Sequence, residues 1–172
     1  MFLTKVVITG PESTGKSTLA EELSKYYKTN WVKELAREYI EGLNRPYTES
    51  DLSEIARGQI KSENLQTESS KKLLICDTDL ITVKIWSDYK YGRTDPWILE
   101  TIEERHYGVY LLTDIDLPWK EDPQREHPDK RAYFLQKFKD ELEHYQKSYH
   151  LIAGDHKQRF DKAVEIIDRL IP

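Results

Sequence analysis

The chain has 172 residues, of which 38% are hydrophobic and 33% charged, and its formal net charge is −5. That length predicts one domain, over residues 1–172, with a substantial core. The longest apolar runs, at 6–8 and 73–76, fall far short of the roughly 20 residues of a membrane span. Lys5 interrupts the first run, which argues against a secretory signal peptide.

The acidic balance argues against nucleic-acid binding through bulk charge, although it leaves a local basic groove open. The single cysteine, Cys76, excludes an internal disulfide and a zinc site built from cysteines. We therefore predict a soluble, cytoplasmic protein that has no nucleic-acid or membrane partner.

Apolar, β-branched runs alternate with helical periodicity along the chain, a pattern typical of an α/β protein with a mainly parallel sheet. We predict five strands in a three-layer α/β/α sandwich. The strands are expected at 4–9, 31–32, 73–76, 108–113 and 149–153. Helices are expected at 17–27, from a Thr48 cap towards 66, from a Thr78 cap, from Asp95-Pro96, through 135–145 and at 156–170.

The first strand leads directly into a phosphate-binding sequence. Residues 10–18 read Gly-Pro-Glu-Ser-Thr-Gly-Lys-Ser-Thr and match the pattern G-x-x-x-x-G-K-[ST] between a strand and a helix. Such a phosphate-binding loop, or P-loop, brings its backbone close to phosphate oxygens and presents a group of N–H donors that binds anions. We predict that Lys16 reaches the β- and γ-phosphates of ATP and that Ser17 ligates Mg²⁺. The predicted ATP contacts are Gly10, Ser13, Thr14, Gly15, Lys16, Ser17 and Thr18. The alternative is a glycine-rich turn with a solvated lysine.

Two aspartates follow the most apolar predicted strand. Asp77 and Asp79 come directly after residues 73–76, and the carboxyl ends of parallel strands form the ligand-binding edge of an open α/β sheet. Phosphoryl transfer on a P-loop needs a carboxylate near Mg²⁺ at this edge. Either aspartate could hold the metal's hydration shell or accept a proton from the attacking hydroxyl, and we favour Asp77. The alternative is that Asp77 only caps the next helix.

A long polar loop, at about 114–131, follows the fourth predicted strand. Its arginines favour a mobile lid that excludes water and neutralises charge on the transferring phosphoryl group. Arg125 and Arg131 are the candidates, and Trp119 could cover the acceptor with an apolar ring. A solvated run of mixed charge is the alternative.

The segment Glu34-Leu-Ala-Arg37-Glu38 follows the second predicted strand. Arg37 could hold a phosphate or ribose of the acceptor, and Glu34 or Glu38 could accept hydrogen bonds from ribose hydroxyls. The alternative is an amphipathic helix with ordinary ion pairs. Two further sets complete the prediction: Trp86, Tyr89 and Tyr91 are expected to line a pocket, and His127, His144 and His156 are expected to face solvent.

Together, these motifs resemble the ribosylnicotinamide kinase domain of NadR-type proteins and its relatives among P-loop kinases. The resemblance is carried by residues 10–18, Glu34-Leu-Ala-Arg-Glu38, Gly58-Gln59, Asp77-Thr-Asp79 followed by Leu80-Ile-Thr, and Pro118-Trp119 with Asp122 and Arg125. It implies a P-loop kinase that transfers the γ-phosphate of ATP to the 5′-hydroxyl of nicotinamide riboside, giving nicotinamide mononucleotide for NAD salvage.

The resemblance also implies roles for individual residues. Lys16 and Ser17 would contact ATP and Mg²⁺, and Asp77 would be the base or metal carboxylate. The acceptor side would comprise Glu34, Arg37 and Asp79, and the lid would carry Trp119 and Arg125. The chain departs from the family where some members carry base-stacking aromatics: Lys33 occupies one such position, and no aromatic lies near Leu65.

Other nucleotide-binding classes fit the sequence less well. A GTPase is disfavoured because glycine does not stand at the third position after Asp77 and no Asn/Thr-Lys-x-Asp motif occurs. An oligomeric AAA+ motor is disfavoured because no helical lid domain follows the fifth predicted strand. An ATP-binding regulatory module, and a kinase for a different nucleoside or nucleotide, stay open.

Overall fold

The structure is a computed structural model that describes residues 3–171. Met1, Phe2 and Pro172, at the ends of the predicted domain, lie outside the described residues. The strands are β1 (Thr4–Thr9), β2 (Asn30–Val32), β3 (Leu73–Asp77), β4 (Val109–Thr113) and β5 (Tyr149–Ile152). The helices are α1 (Lys16–Tyr27), α2 (Leu35–Glu41), α3 (Glu49–Ser69), α4 (Leu80–Tyr91), α5 (Pro96–Glu104), α6 (Arg131–His144) and α7 (His156–Asp168).

The five strands form one parallel sheet in the order β2-β3-β1-β4-β5. A parallel sheet that is covered on both faces needs strands that are apolar along nearly their whole length. The three central strands meet this requirement, since every residue of β3 and β4 and four of the six residues of β1 are buried. The predicted α/β class is confirmed, and each strand boundary lies within one residue of the predicted one.

Helices cover both faces of the sheet. Alternate side chains of β1 point to opposite faces, so Val6 and Ile8 pack with α1 and α7, while Val7 packs with α3 to α6. The predicted three-layer sandwich is therefore confirmed. No helix within the described part of the chain combines the length and apolarity needed to cross a lipid bilayer.

The turn between β3 and α4 differs from the prediction. Thr78 does not cap α4 but lies one residue before the cap, and its N–H donates to the carbonyl of Ile8 (2.9 Å), which continues the sheet. Thr78 adopts a left-handed conformation, with φ of +67°. Asp79 is the N-cap, and its carboxylate accepts from the N–H of Ile81 at 3.2 Å. The predicted caps at Thr48 and Asp95 are confirmed.

The charged segment after β2 forms the short helix α2, which lies against α3 at a glycine. A Cβ on Gly58 would lie 2.2 Å from Cδ2 of Leu35. Next to it, the side chain of Gln59 accepts from the N–H of Leu35 (2.9 Å) and donates to the carbonyl of Lys33 (3.3 Å). The Gly58-Gln59 pair therefore positions the turn that carries Glu34.

Candidate active site

A cavity of about 230 Å³ opens at the carboxyl edge of the sheet. The P-loop forms one side, α2 and α3 a second, α4 a third, and the segment after β4 covers it. Of the predicted site residues, it brings together Gly10, Ser13, Thr14, Gly15, Lys16, Ser17, Thr18, Glu34, Arg37, Asp79 and Arg125. Trp119 and Asp77 are not among the lining residues, and Asp77 is buried behind Ser17, whose hydroxyl donates to it.

The backbone of the P-loop needs glycine at two points. Gly10 has φ of +141°, and a Cβ there would lie 2.5 Å from Oγ1 of Thr113 on β4. Gly15 has φ of +79° and is the N-cap of α1. The first N–H groups of a helix have no acceptor within the helix, and they carry its positive end. The loop therefore presents these donors to the cavity, an arrangement suited to phosphate.

Lys16 folds over its own loop. Its Nζ donates to the carbonyl of Pro11 at 2.7 Å. Burial lowers the pKa of Lys16, while the carboxylates of Glu34, Asp77 and Glu12 act in the opposite direction. A phosphate that replaced the neutral Pro11 carbonyl as the acceptor would pair the ammonium with an anion.

Asp77 is buried and only partly satisfied. Its Oδ2 accepts from Oγ of Ser17 at 2.5 Å, whereas Oδ1 has no hydrogen-bond partner among residues 3–171. Burial, together with the nearby Glu34, raises the pKa of Asp77 to about 6, against the effects of Ser17 and Lys16. Buried carboxylate oxygens almost always have a partner, so the free Oδ1 beside a hydroxyl points to a ligand at this position.

Asp79 has a different environment two residues further along. Its Oδ2 accepts from the hydroxyl of Tyr110 at 2.7 Å, and its Oδ1 caps α4. Burial raises the pKa of Asp79 to about 6, and Glu63 adds to this shift. Because both oxygens already accept, the carboxylate is held in one orientation at the cavity wall, whereas Asp77 keeps one oxygen free.

The segment from 114 to 131 contacts the P-loop from above. The N–H of Lys120 donates to Oγ of Ser13 at 2.8 Å, and the N–H of Glu126 donates to a carboxylate oxygen of Glu12 at 3.3 Å. Arg125 lines the cavity and donates to the carbonyl of Lys120 at 2.6 Å. The segment therefore places an arginine beside the loop that is predicted to hold the triphosphate.

The same segment also contacts α2. Arg37 donates to the carboxylate of Asp122 at 2.9 Å, and the side chain of Gln124 donates to the carbonyl of Arg37 at 3.1 Å. The guanidinium predicted to hold the acceptor is thus paired with a carboxylate in the covering segment. An acceptor that recruited Arg37 would have to share or replace Asp122.

Trp119 and Arg131 lie beside each other outside the cavity lining, and Arg131 contacts the P-loop by donating to the carbonyl of Ser13 at 3.3 Å. The indole N–H of Trp119 donates to Glu121 at 3.1 Å, and the Arg131 guanidinium lies 5.8 Å from the centre of the indole ring. Arg131 also donates to the carbonyl of Leu117 at 2.8 Å. The structure therefore places the ring of Trp119 away from the cavity wall.

Two other aromatic residues line the cavity instead, namely Trp86 and Tyr47. The prediction that Trp86 lines a pocket is thus confirmed. Tyr47 is held by Lys90, whose Nζ lies 3.4 Å from the centre of its ring. Of the two residues predicted with Trp86, Tyr89 lines a second cavity, of about 200 Å³, between α4 and α6, whereas Tyr91 is in neither lining. The sequence analysis did not predict Tyr47 as a site residue. Its position, directly before the capping box of α3, was a signal that could have identified it.

His127 does not face solvent as predicted. Its ring stacks on Trp86 at 5.8 Å and meets Tyr89 edge-on at 5.0 Å, leaving 21% of the side chain exposed. The aromatic side chains of α4 and Phe134 of α6 form an apolar surface on which the imidazole packs. The predicted exposure of His144 and His156 is confirmed.

Three residues that support the site from outside its lining carried signals that the sequence analysis did not use. Thr113 and Tyr110 are polar side chains inside a fully buried strand, where each has a hydrogen-bond partner. Arg159 is an arginine with 3% exposure in α7. A polar residue at a position where the strand or helix pattern requires an apolar one indicates a buried side chain with a hydrogen-bond partner.

Comparison with known proteins agrees with this fold. The chain is 26% identical over 177 residues to the trifunctional NAD biosynthesis/regulator protein NadR of Salmonella typhimurium, covering 99% of this chain and 43% of the relative. It therefore spans less than half the length of that relative. Two crystal structures of NadR protein, one in complex with NR and one with NAD and AMP-PNP, match with TM-scores of 0.83 and 0.81.

Both structures are 20% identical to the chain, and each match covers 98% of this chain and 49% of the other. The predicted P-loop kinase fold and the resemblance to NadR are thus confirmed. A family model described as AAA domain matches residues 5–159. The chain therefore belongs to this AAA domain family, AAA_28.

Proposed function

We propose that this protein is a small-molecule kinase that transfers the γ-phosphate of ATP to the 5′-hydroxyl of nicotinamide riboside, giving nicotinamide mononucleotide. The observation that carries the proposal is one continuous cavity that joins the P-loop to Asp79 and to the ring of Trp86. A phosphate donor and an acceptor of nucleoside size can meet there beside two carboxylates.

The similar proteins support the choice of substrates. The Salmonella relative is named for NAD biosynthesis, and the two NadR structures contain NR, NAD and AMP-PNP, an analogue of ATP. This chain matches about half of each of those chains, so the activity proposed for it is one part of theirs.

The donor side of the proposed site consists of the P-loop and Mg²⁺. The free Oδ1 of Asp77 and the hydroxyl of Ser17 fit a hard cation, and they would hold it. Within residues 3–171 no cluster of three or more His, Cys, Asp or Glu side chains could hold a metal. Two protein ligands suffice for Mg²⁺, because phosphates and water supply the rest. When bound, the ion neutralises charge on the phosphates.

The residues of this chain then act in sequence. Lys16 leaves the Pro11 carbonyl and binds the β- and γ-phosphates. With Oδ1 of Asp77 towards the cation, its Oδ2, which accepts from Ser17 in this structure, would orient the acceptor hydroxyl and take its proton. Arg125 stabilises the charge on the transferring phosphoryl group from above. The lid, at about 114–131, excludes water.

The acceptor side supplies recognition. Glu34, Arg37 and Asp79 line the cavity and would bind ribose hydroxyls, and Trp86 and Tyr47 would supply aromatic faces. A flat, positively charged base is favoured beside aromatic rings and carboxylates, and the pyridinium of nicotinamide riboside has these properties. Trp119 acts in the lid, where its ring packs against Arg131.

A phosphorylation assay with a panel of acceptors tests the proposal. The purified protein, ATP and Mg²⁺ are incubated with nicotinamide riboside, uridine, cytidine, thymidine or deoxyadenosine, and products are identified by mass spectrometry. We expect nicotinamide mononucleotide to form fastest. A different preferred nucleoside would identify the second candidate, a kinase for another acceptor. No phosphorylated product, with slow ATP hydrolysis unaffected by every nucleoside, would leave the regulatory module.

Matched lysine variants place the chemistry at the P-loop. Lys16→Ala should lower kcat/KM by about 10²–10³-fold, the usual effect of removing one preorganised charge. Lys25→Ala, on the same helix, removes only an exposed ion pair with Glu21 and should have wild-type activity. Equal activity of the two variants would contradict the role of Lys16.

We also propose that residues 1–172 act as one kinase domain and that the protein works in the cytoplasm.

A further inference from the structure

We propose that Arg159 is a positioning residue that aims the phosphate-binding loop at its ligand. Arg159 lies in the first turn of α7, 142 residues after Ser17 in the chain, and only 3% of it is exposed. Its side chain reaches under the P-loop rather than into the cavity, because it is absent from the cavity lining. A buried guanidinium must have its donors satisfied.

Each edge of the guanidinium contacts a different loop. Nη1 donates to the carbonyl of Thr14 in the P-loop at 2.8 Å. Nε donates to the carbonyl of Gly154 after β5 at 2.8 Å, and Nη2 donates to the carbonyl of Asp114 after β4 at 3.0 Å. Nη2 also pairs with the carboxylate of Asp116. One side chain thus joins the loops that follow β1, β4 and β5.

The contact with Thr14 fixes the direction of the next N–H group. The peptide bond between Thr14 and Gly15 is planar and trans, so its carbonyl and its N–H point in opposite directions. Arg159 holds the carbonyl on the side away from the cavity. The N–H of Gly15 is therefore turned towards the cavity, next to the first N–H groups of α1.

Glycine makes this constraint important. Gly15 has φ of +79° and no side chain to restrict it, so the peptide before it can rotate more freely than one flanked by a larger residue. A charge-assisted bond from a planar, rigid guanidinium opposes this rotation. Arg159 thus reduces the ordering that the P-loop must undergo when a phosphate binds, which favours tighter binding.

The inference rests on the proposed nucleotide binding but not on the identity of the acceptor. A residue that only held the three loops together would affect the melting temperature and nothing else once the protein was folded. A positioning residue also changes phosphate affinity at temperatures where every variant is folded. The two roles are therefore separated by measuring affinity and stability on the same variants.

The test compares Arg159→Gln and Arg159→Lys with a matched control, Lys147→Gln. Lys147 also donates to two backbone carbonyls, those of Ile102 (2.9 Å) and Arg105 (3.0 Å), neither of which belongs to the P-loop. Thermal unfolding is measured first, and calorimetry with ATP–Mg²⁺ and with pyrophosphate–Mg²⁺ then follows at least 15 °C below the lowest melting temperature. Steady-state kinetics give KM for ATP and for the acceptor separately.

We expect Arg159→Gln to raise the Kd for both phosphate probes about tenfold or more, with KM for ATP rising in parallel and KM for the acceptor unchanged. Arg159→Lys should recover part of the affinity, because it keeps the charge but not the planar fork. Lys147→Gln should lower the melting temperature with no change in either Kd.

Wild-type affinity for ATP and pyrophosphate in Arg159→Gln would overturn the inference, whatever its melting temperature. So would a wild-type protein that binds neither probe, since the loop would then hold no phosphate. A wild-type protein that binds ATP but phosphorylates no nucleoside would refute the proposed function alone, and the affinities of the variants would still decide the role of Arg159.

Discussion

The hydroxyl of Ser17 lies 2.5 Å from the carboxylate of Asp77, although 60 residues separate them in the chain. The register of the sheet explains this contact. β1 and β3 are parallel neighbours in which Ile8 pairs with Asp77, so the residue that ends β3 lies beside the start of the P-loop. The motif at one strand end and the carboxylate at the next therefore form one site.

Ser17→Ala should weaken ATP binding in the presence of Mg²⁺ about tenfold and leave metal-free binding nearly unchanged, because the hydroxyl is a proposed metal ligand. Ser17→Thr keeps the hydroxyl and should bind as the wild type does. Titration calorimetry with ATP, with and without Mg²⁺, measures both. The same tenfold loss without the metal would show that Ser17 contacts phosphate rather than Mg²⁺.

Asp77→Asn should make the ligand-free protein more stable at pH 7.5 while abolishing transfer. Burial raises the pKa of Asp77 from 3.8 to about 6, so the folded state binds a proton more tightly than the unfolded state does. The carboxylic acid therefore favours folding below pH 4, and that contribution is lost as the pH rises to about 6. The expected gain in unfolding free energy is about 1–3 kcal/mol, shrinking towards pH 4.

Asp51→Asn is the control, and we expect it to change the stability of the fold in the opposite direction. Hydrogen bonds from Arg45 and from the backbone of Thr48 hold the pKa of Asp51 well below its ordinary value. Its ionised form stabilises the fold above pH 4, and that contribution is lost as the pH falls through the lowered pKa. Asp51→Asn should lower the melting temperature at pH 7.5. Urea unfolding from pH 4 to pH 8 measures both variants, and shifts of the same sign would refute this electrostatic account.

The sequence predicted the fold and the floor of the site because both follow from local patterns. Runs such as Leu73–Cys76 are apolar enough to identify a buried strand, and the sequence from Gly10 to Ser17 identifies the loop. The carboxyl edge of a parallel sheet then brings Asp77 to that loop. No side-chain geometry was needed for these steps.

Contacts between distant segments could not be predicted in this way. The hydrogen bond between Arg37 and Asp122 spans 85 residues, and nothing in either segment specifies the other. The position of Trp119 also depends on tertiary packing, since it faces Arg131 rather than the cavity. In the sequence, His127 is a polar residue of a loop. Its burial depends on the aromatic surface that α4 and α6 form together, which the sequence does not reveal.

His127→Ala should loosen the covering segment. The imidazole packs on Trp86 and Phe134, so its removal takes away an apolar contact that holds the segment over the cavity. Trypsin should then cleave at Arg125 or Lys130 several times faster, and KM for the acceptor should rise. Local openings of this kind control proteolysis of a folded protein.

His144→Ala is the matched control, because that histidine is exposed at the end of α6, where its ring meets Tyr145 edge-on. Its rate of cleavage and its KM values should equal those of the wild type. If His127→Ala were cleaved no faster than His144→Ala, the packing of His127 would have no part in holding the segment closed.

Gln59→Leu should disturb the acceptor side without affecting ATP. The buried amide of Gln59 accepts from the N–H of Leu35 and donates to the carbonyl of Lys33, and it thereby fixes the turn that carries Glu34. Leucine has a similar size but leaves both backbone groups unpaired, at a cost of about 1–3 kcal/mol for each. We expect lower stability and a higher KM for the acceptor, with KM for ATP unchanged. Gln136→Leu, which loses only an exposed contact with Asp140, should behave as the wild type does, and a rise in KM for ATP in Gln59→Leu would show instead that the turn supports the P-loop.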